Sequence, residues 1–279
     1  MSRPPGPRPA RVAAALATAA VAALIAGCAQ APAAVRAAPT HSPVARSEAS
    51  PDVSAAAPAS TTAAAGVLTA APARRRPGSG SALAVLATLP IRPAGSITGY
   101  SRALFGIAWT DDNGDPDGHN GCDTRDDILR RDLTLITVKA GSNGCIVESG
   151  VLHDPYTGTS IAFTRGESTS GEVPIDHVVA LGDAWETGAA TWTATQRVDF
   201  ANDPLELLAV DEHSNEAKGD ADAAAWLPPT GDCAYAARQV AVKHAYGLWT
   251  TAAEHAALAR VLATCPTQPL PVDGATPLA

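Results

Sequence analysis

Three stretches of this 279-residue sequence point to an α+β domain with antiparallel strands and a C-terminal helical hairpin. Residues 133–166, LTLITVKAGSNGCIVESGVLHDPYTGTSIAFTRG, carry β-branched runs broken by Asn-Gly, Ser-Gly and Tyr-Thr-Gly, the pattern of an antiparallel meander. Residues 173–185, VPIDHVVALGDAW, alternate as a short strand, with Val173, Ile175, His177 and Val179 on one face and Asp176 and Val178 on the other. CAYAARQVAVKHAYGLW and TAAEHAALARVLATC are two helical patterns in succession at the end of the chain.

Taken in order, the first 28 residues read as an export signal with a lipobox. Arg3, Arg8 and Arg11 form a basic leader, Val12 to Ile25 is an alanine-rich apolar run, and Leu24-Ile25-Ala26-Gly27 precedes Cys28. Cys28 would then be the lipidated N-terminus of an exported protein, on the outer face of the cell membrane. An ordinary signal peptide, with Cys28 incidental and the protein secreted, is the alternative. Residues 29–95 are rich in Ala, Pro, Ser and Thr and hold too few large apolar groups to offset the entropy of ordering, so a disordered tether is expected. Arg74-Arg75-Arg76 within it is a small basic run, and ALAVLATLPI an early helix that docks on the domain. The folded part is expected over 96–266, with a loose Pro-rich tail at 267–279.

From residue 96 onward there are 26 acidic and 11 basic side chains, a net charge of −15. Nucleic-acid binders usually carry the opposite sign, so any nucleic acid is met weakly, with cations offsetting the repulsion. Apart from Cys28, the cysteines are Cys122, Cys145, Cys233 and Cys265. In an exported domain four cysteines imply two disulfides, and Cys122–Cys145 with Cys233–Cys265 is the preferred pairing because each brackets a compact unit. No CxxC spacing supports a zinc site.

YSRALFGIAW, 100–109, reads as a helix or a helix–strand junction. Asp111, Asn113, Asp115 and Asp117, followed by Gly118, have the alternation of a calcium loop but lack its twelfth-position glutamate, which leaves a solvated acidic turn as the competing reading. Asp123-Thr124 opens a helix, and Arg125 beside it would pair with the acidic turn or reach a phosphate. DADAAAWLPP reads as a further helix ending at Pro228-Pro229.

Asp176 and His177 stand side by side in an apolar strand, where a charged pair is costly without partners. Asn202 in FANDPLELLAV and Asn215 in NEAKGD, with Lys218 three residues later, complete a set of carboxylate, imidazole, two amides and an amine. That set suits metal-assisted cleavage of a phosphodiester.

The strings GCDTRDDILRRDL, DPYTG, IDHVVALGDAW, FANDPLELLAV, NEAKGD and AAWLPP occur in this order. Together they resemble the HNH endonucleases, and in particular an extracellular, actinobacterial branch related to the C-terminal domain of GmrSD-type restriction endonucleases. The resemblance implies an HNH-type ββα-metal core: two strands, a loop and a helix around one divalent ion. It implies Asp176 and Asn215 as metal ligands and His177 as the general base. Asn202 would orient His177 through its backbone, and Lys218 would contact phosphate. Two oxygen ligands favour Mg²⁺, with Mn²⁺ or Ca²⁺ as substitutes, over Zn²⁺.

The expected function is an exported, metal-dependent endonuclease acting on nucleic acid, chiefly weakly bound DNA. A non-catalytic calcium-binding envelope module built on the acidic turn, and a hydrolase of another envelope phosphodiester such as a teichoic-acid-like polymer, are its rivals. The sequence points to no protein partner.

Overall fold

The computed structural model describes residues 80–271. The export signal, Cys28, Arg74–Arg76, most of the tether and the end of the tail lie outside the described residues. Helix α1, Ala82–Leu86, is capped by the Ser81 hydroxyl and buries Ala82, Val85 and Leu86 against α6, Asp232–Tyr246, and α7, Ala252–Thr264. The early helix thus docks as its apolar spacing suggests. The same end of the chain pairs Ser81 with Pro269, and Ala82 N–H donates to Gln268 O at 2.8 Å.

Residues 102–105 form a single 3₁₀ turn, and the acidic loop follows it. Helix α2, Thr124–Asp132, starts where Asp123 accepts from Asp126 N–H. It leads into an antiparallel meander of β1, Leu133–Val138, β2, Val147–His153, and β3, Ser160–Thr164. Asn143 and Gly144, both at positive φ, turn the chain between β1 and β2. The Ser149-Gly150 pair does not turn; it lies inside β2. A Cβ at Gly150 would sit 2.8 Å from the Leu133 side chain, so glycine here lets the strand pass close under its neighbour.

A second, two-stranded sheet joins β4, Ile175–His177, to β5, Leu207–Ala209, antiparallel, with Asp176 opposite Leu208. Between them come α3, Leu181–Glu186, and α4, Ala194–Asn202. After them comes α5, Glu212–Lys218. A two-stranded ribbon has two open edges, and here side chains finish one of them. Asp132 accepts from Ala209 N–H at 2.8 Å, while Arg131 donates to Leu207 O at 2.6 Å. Arg125 is spent in the same way, donating to Ser170 O and Val173 O ahead of β4.

The stretch 220–229 is not a helix. The Asp222 carboxylate takes the N–H groups of Ala224 and Ala225, stopping the chain after one turn, and Pro228-Pro229 follow. The terminal hairpin of α6 and α7 turns at Gly247, in the left-handed region, and α7 opens with a Thr251–Glu254 capping box. Disulfides join Cys233 to Cys265 across this hairpin and Cys122 to Cys145 at the α2 end of the meander.

Candidate active site

Asp176 and His177 sit at the centre of the small sheet, each under a tenth exposed. Ile175, Leu207 and Ala209 face one apolar cluster, and Val178, Leu208 and Val210 face another. The strand leaves no room for an unpaired carboxylate, and Asp176 has two partners. Lys218 Nζ, from the last turn of α5, donates to Asp176 Oδ1 at 2.9 Å and to His177 O at 2.7 Å. The Tyr156 hydroxyl donates to Asp176 Oδ2 at 2.5 Å. Burial and the Asp176 charge push the Tyr156 hydroxyl well above the usual phenol range, so it stays a donor.

Tyr156 is placed by the turn after β2. Asp154 accepts from Thr157 N–H and hydroxyl, and its other oxygen accepts from Asp211 N–H at 2.9 Å, tying this turn to the start of α5. Lys218 and Tyr156 therefore reach Asp176 from two elements that are themselves bonded to each other.

His177 is held through one ring nitrogen and one ring face. Nε2 lies 3.0 Å from Ala201 O, which can only accept, so Nε2 carries the proton and Nδ1 the lone pair. The carbonyl comes from the last turn of α4, one residue before Asn202. That helix is fixed by Phe200, fully buried, with Trp192, Tyr246 and Phe105 around it at ring distances of 5.3, 5.0 and 6.2 Å. Asn202 donates to Val198 O, and its Oδ1 is buried without a hydrogen-bond partner. On the ring face, Trp109 stacks at 5.6 Å with the planes 15° apart. Burial first, then the Arg102 guanidinium and more weakly the Lys218 ammonium, bring the imidazole down to about 3, against the Ala201 hydrogen bond. His177 is a neutral base throughout the physiological range.

Two clefts meet at this imidazole. One, of about 200 Å³, is polar and includes Asp176, Asn215 and Lys218; Asn215, half-buried on α5, opens onto it. The other, of about 240 Å³, is mainly apolar and includes Phe105, Ile107, Trp109 and Asn202. Arg102, His177 and Leu181 line both. The structure thus brings together Asp176, His177, Asn202, Asn215 and Lys218 from β4, α4 and α5.

The acidic turn lies elsewhere and uses the Asp111 and Asn113 oxygens internally. Asp111 accepts from Asn120 and Gly121 N–H, Asn113 accepts from Asp115 N–H, and Gly114 N–H donates to Asp199. Asp117 is an exposed member of the same loop. Among the described residues no three His, Cys, Asp or Glu side chains converge as a metal cluster. What the loop visibly does is present Trp109, whose carbonyl accepts from Thr124 N–H at the start of α2.

For a divalent ion the donor set is Asp176 with the Asn215 amide, and water for the remainder. That suits Mg²⁺, which keeps several waters and takes one or two carboxylates. It fits on one condition visible in the geometry: with Asp176 Oδ2 taken by the Tyr156 hydroxyl, the Lys218 ammonium on Oδ1 would have to yield that oxygen to the ion.

Tyr156, Trp109 and Arg102 were not assigned to the site from sequence. Tyr156 lies in the DPYTG string, which marked it for attention but gave no partner. Nothing local in YSRALFGIAW says that its tryptophan covers a histidine 68 positions later.

Residues 123–261 match the family model described as GmrSD restriction endonucleases, C-terminal domain. An "Uncharacterized secreted protein" of Arthroderma benhamiae is 38% identical over 193 residues, covering 68% of this chain and 87% of that protein. No solved structure matches significantly. With the matched segment running from the cap of α2 into α7 and enclosing Tyr156, Asp176, His177, Asn202, Asn215 and Lys218, while the 102–109 stretch that lines the apolar cleft lies before it, the chain belongs to the family of GmrSD restriction endonuclease C-terminal domains.

Proposed function

We propose that this protein is an exported endonuclease that hydrolyses nucleic-acid phosphodiesters, with His177 as general base. The observation that carries this reading is the buried imidazole at the junction of the two clefts, with its tautomer fixed by Ala201 O and its Nδ1 lone pair left over. His177 Nδ1 takes a proton from water, the water oxygen bonds to phosphorus, the ester P–O bond breaks with the leaving oxygen protonated by solvent water, and the imidazolium returns its proton to solvent. Trp109 and Ala201 hold the ring against rotation, so little entropy is lost on reaching the reactive geometry.

Asp176 and Asn215 would hold a divalent ion, Mg²⁺ foremost and Mn²⁺ or Ca²⁺ in its place, which supplies Lewis-acid stabilisation of the phosphoryl oxygens. Lys218, once off Asp176, would lie beside the charge that develops there. The family supports nucleic acid as the substrate, and the secreted Arthroderma relative supports export. DNA, weakly bound, is the expected form. A lipid anchor at Cys28 would hold the enzyme on the outer membrane face.

The test incubates the full-length oxidised chain with plasmid DNA and with RNA under Mg²⁺, Mn²⁺, Ca²⁺ or EDTA, beside His177→Ala. Metal-dependent nicking that vanishes in the variant is the expected result. Equal inertness of both folded proteins under every metal would sink the proposal.

A further inference from the structure

We infer that the apolar cleft beside His177 is a seat for one nucleobase, with Arg102 at its rim gripping the adjoining phosphate, so that the preferred substrate is single-stranded nucleic acid. The inference rests on the hydrolytic reading above and names its substrate class. Four observations lead to it.

The first is continuity. The apolar cleft and the polar cleft with Asp176 and Asn215 share His177, so a nucleotide whose phosphate faces the imidazole has its base within reach of the apolar side. The second is lining and size. Phe105, Ile107 and Trp109 give it an apolar lining, in which Phe105 is buried and Ile107 is left 80% exposed. About 240 Å³ falls below the roughly 300–1,000 Å³ of drug-sized sites and suits a single planar ring system.

The third is a cation with nothing to hold. Arg102 lines both clefts and has no hydrogen bond or ion pair among the described residues. In a domain with so few basic groups, most of the other guanidinium groups are committed: Arg125, Arg131, Arg165, Arg197 and Arg238 all bond to backbone carbonyls. A guanidinium fork suits a phosphate, and here it stands between the base seat and the general base. The fourth is strain. Trp109 holds φ +59, a conformation that bulky side chains rarely adopt, and its loop is bonded to α2 and α4 so that the indole stays on His177.

Net charge then selects the strand state. A surface of net −15 gains little from a duplex backbone, so affinity must come from base contact, and stacking is worth a similar amount for every base. A base inside a duplex has to be unpaired and unstacked before it enters a pocket, whereas a single strand offers it freely.

The experiment uses the full-length oxidised chain with Mg²⁺ and three labelled DNAs: a short single strand, the same strand with one abasic spacer, and the strand annealed to its complement. Fluorescence anisotropy reads binding, and gel mapping reads the cut positions. Wild type should bind and cut the single strand best and should skip the phosphodiester beside the spacer. Ile107→Ser, at an exposed position that the core does not need, should weaken binding of the intact strand roughly fivefold or more. It should also remove the discrimination against the phosphodiester beside the spacer. Arg102→Gln should weaken both strands alike. Equal cutting at spacer and base, or preference for the duplex, overturns the inference with the hydrolase intact. If nothing is cut, the hydrolytic reading fails; base-dependent binding that needs Ile107 would still support the seat, and its absence would overturn that too.

Discussion

Replacing Lys218 by Met tests how the Asp176 carboxylate is tolerated inside the sheet. Its ammonium lies 2.9 Å from Asp176 Oδ1, with the two side chains 1% and 5% exposed. At an effective dielectric of 20 the attraction is about 6 kcal/mol, before desolvation of both charges is subtracted. Removing one partner of such a pair leaves an uncompensated charge and typically costs about 3–5 kcal/mol. Tyr156 remains as one donor, which places the expected loss near the lower end. For a domain of this size each kcal/mol is worth roughly 2–4 °C, so a loss of about 3 kcal/mol should lower thermal melting by circular dichroism by roughly 6–12 °C. The double variant Lys218→Met/Asp176→Asn should recover part of this, because the orphaned charge is the main cost. Millimolar Mg²⁺ should raise the midpoint of the single variant but not of the double, since only the single variant leaves a carboxylate for the ion. A loss below about 1 kcal/mol, the value of an exposed pair, would refute the reasoning.

Acid should destabilise the fold through His177. Held near 3 when folded and near 6.5 when unfolded, it contributes stability that is intact above about pH 6.5 and lost as pH falls toward 3, at about 1.4 kcal/mol per pH unit. Urea midpoints measured from neutral to about pH 4.5 should show that slope in wild type and a shallower one in His177→Gln. Tyr156→Phe removes a hydrogen bond to a buried carboxylate and should cost about 1.5–3 kcal/mol in urea unfolding. Replacing Cys233 and Cys265 by Ala frees a loop with a sequence separation of 32, and loop entropy puts the loss at roughly 3–4 kcal/mol under non-reducing conditions.

Much of this was legible because it is local or ordered along the chain. The alternation around Ile175 gave a strand, Asp123 opened a helix, the apolar spacing gave the terminal helical pair, and the Asp176, His177, Asn202, Asn215 and Lys218 strings came in one order. What stayed hidden depends on groups distant in sequence. Asp176 and Tyr156 are 20 residues apart, and contacts such as Asp154–Asp211, between residues far apart in sequence, make them neighbours. Gly150 looked like a turn because a glycine between strands and a glycine under a crowded neighbour read alike in one dimension. The alanines of 223–225 promised a helix, and a single Asp222 carboxylate competing for their N–H groups withheld it. The acidic turn advertised oxygen ligands, whereas folding assigns the Asp111 and Asn113 oxygens to amides of the same loop.

The pairing of Ser81 with Pro269 makes the described chain enter and leave at one spot. A fold with its two ends side by side can be spliced into a host loop as a cassette, or recut with its ends fused and a new opening made at the exposed 140–144 turn, without redrawing the interior. It also means that a pull on the leading strand against the trailing one loads this single seam first. It would peel α1 from the α6–α7 hairpin, while the Cys233–Cys265 clasp keeps that hairpin closed.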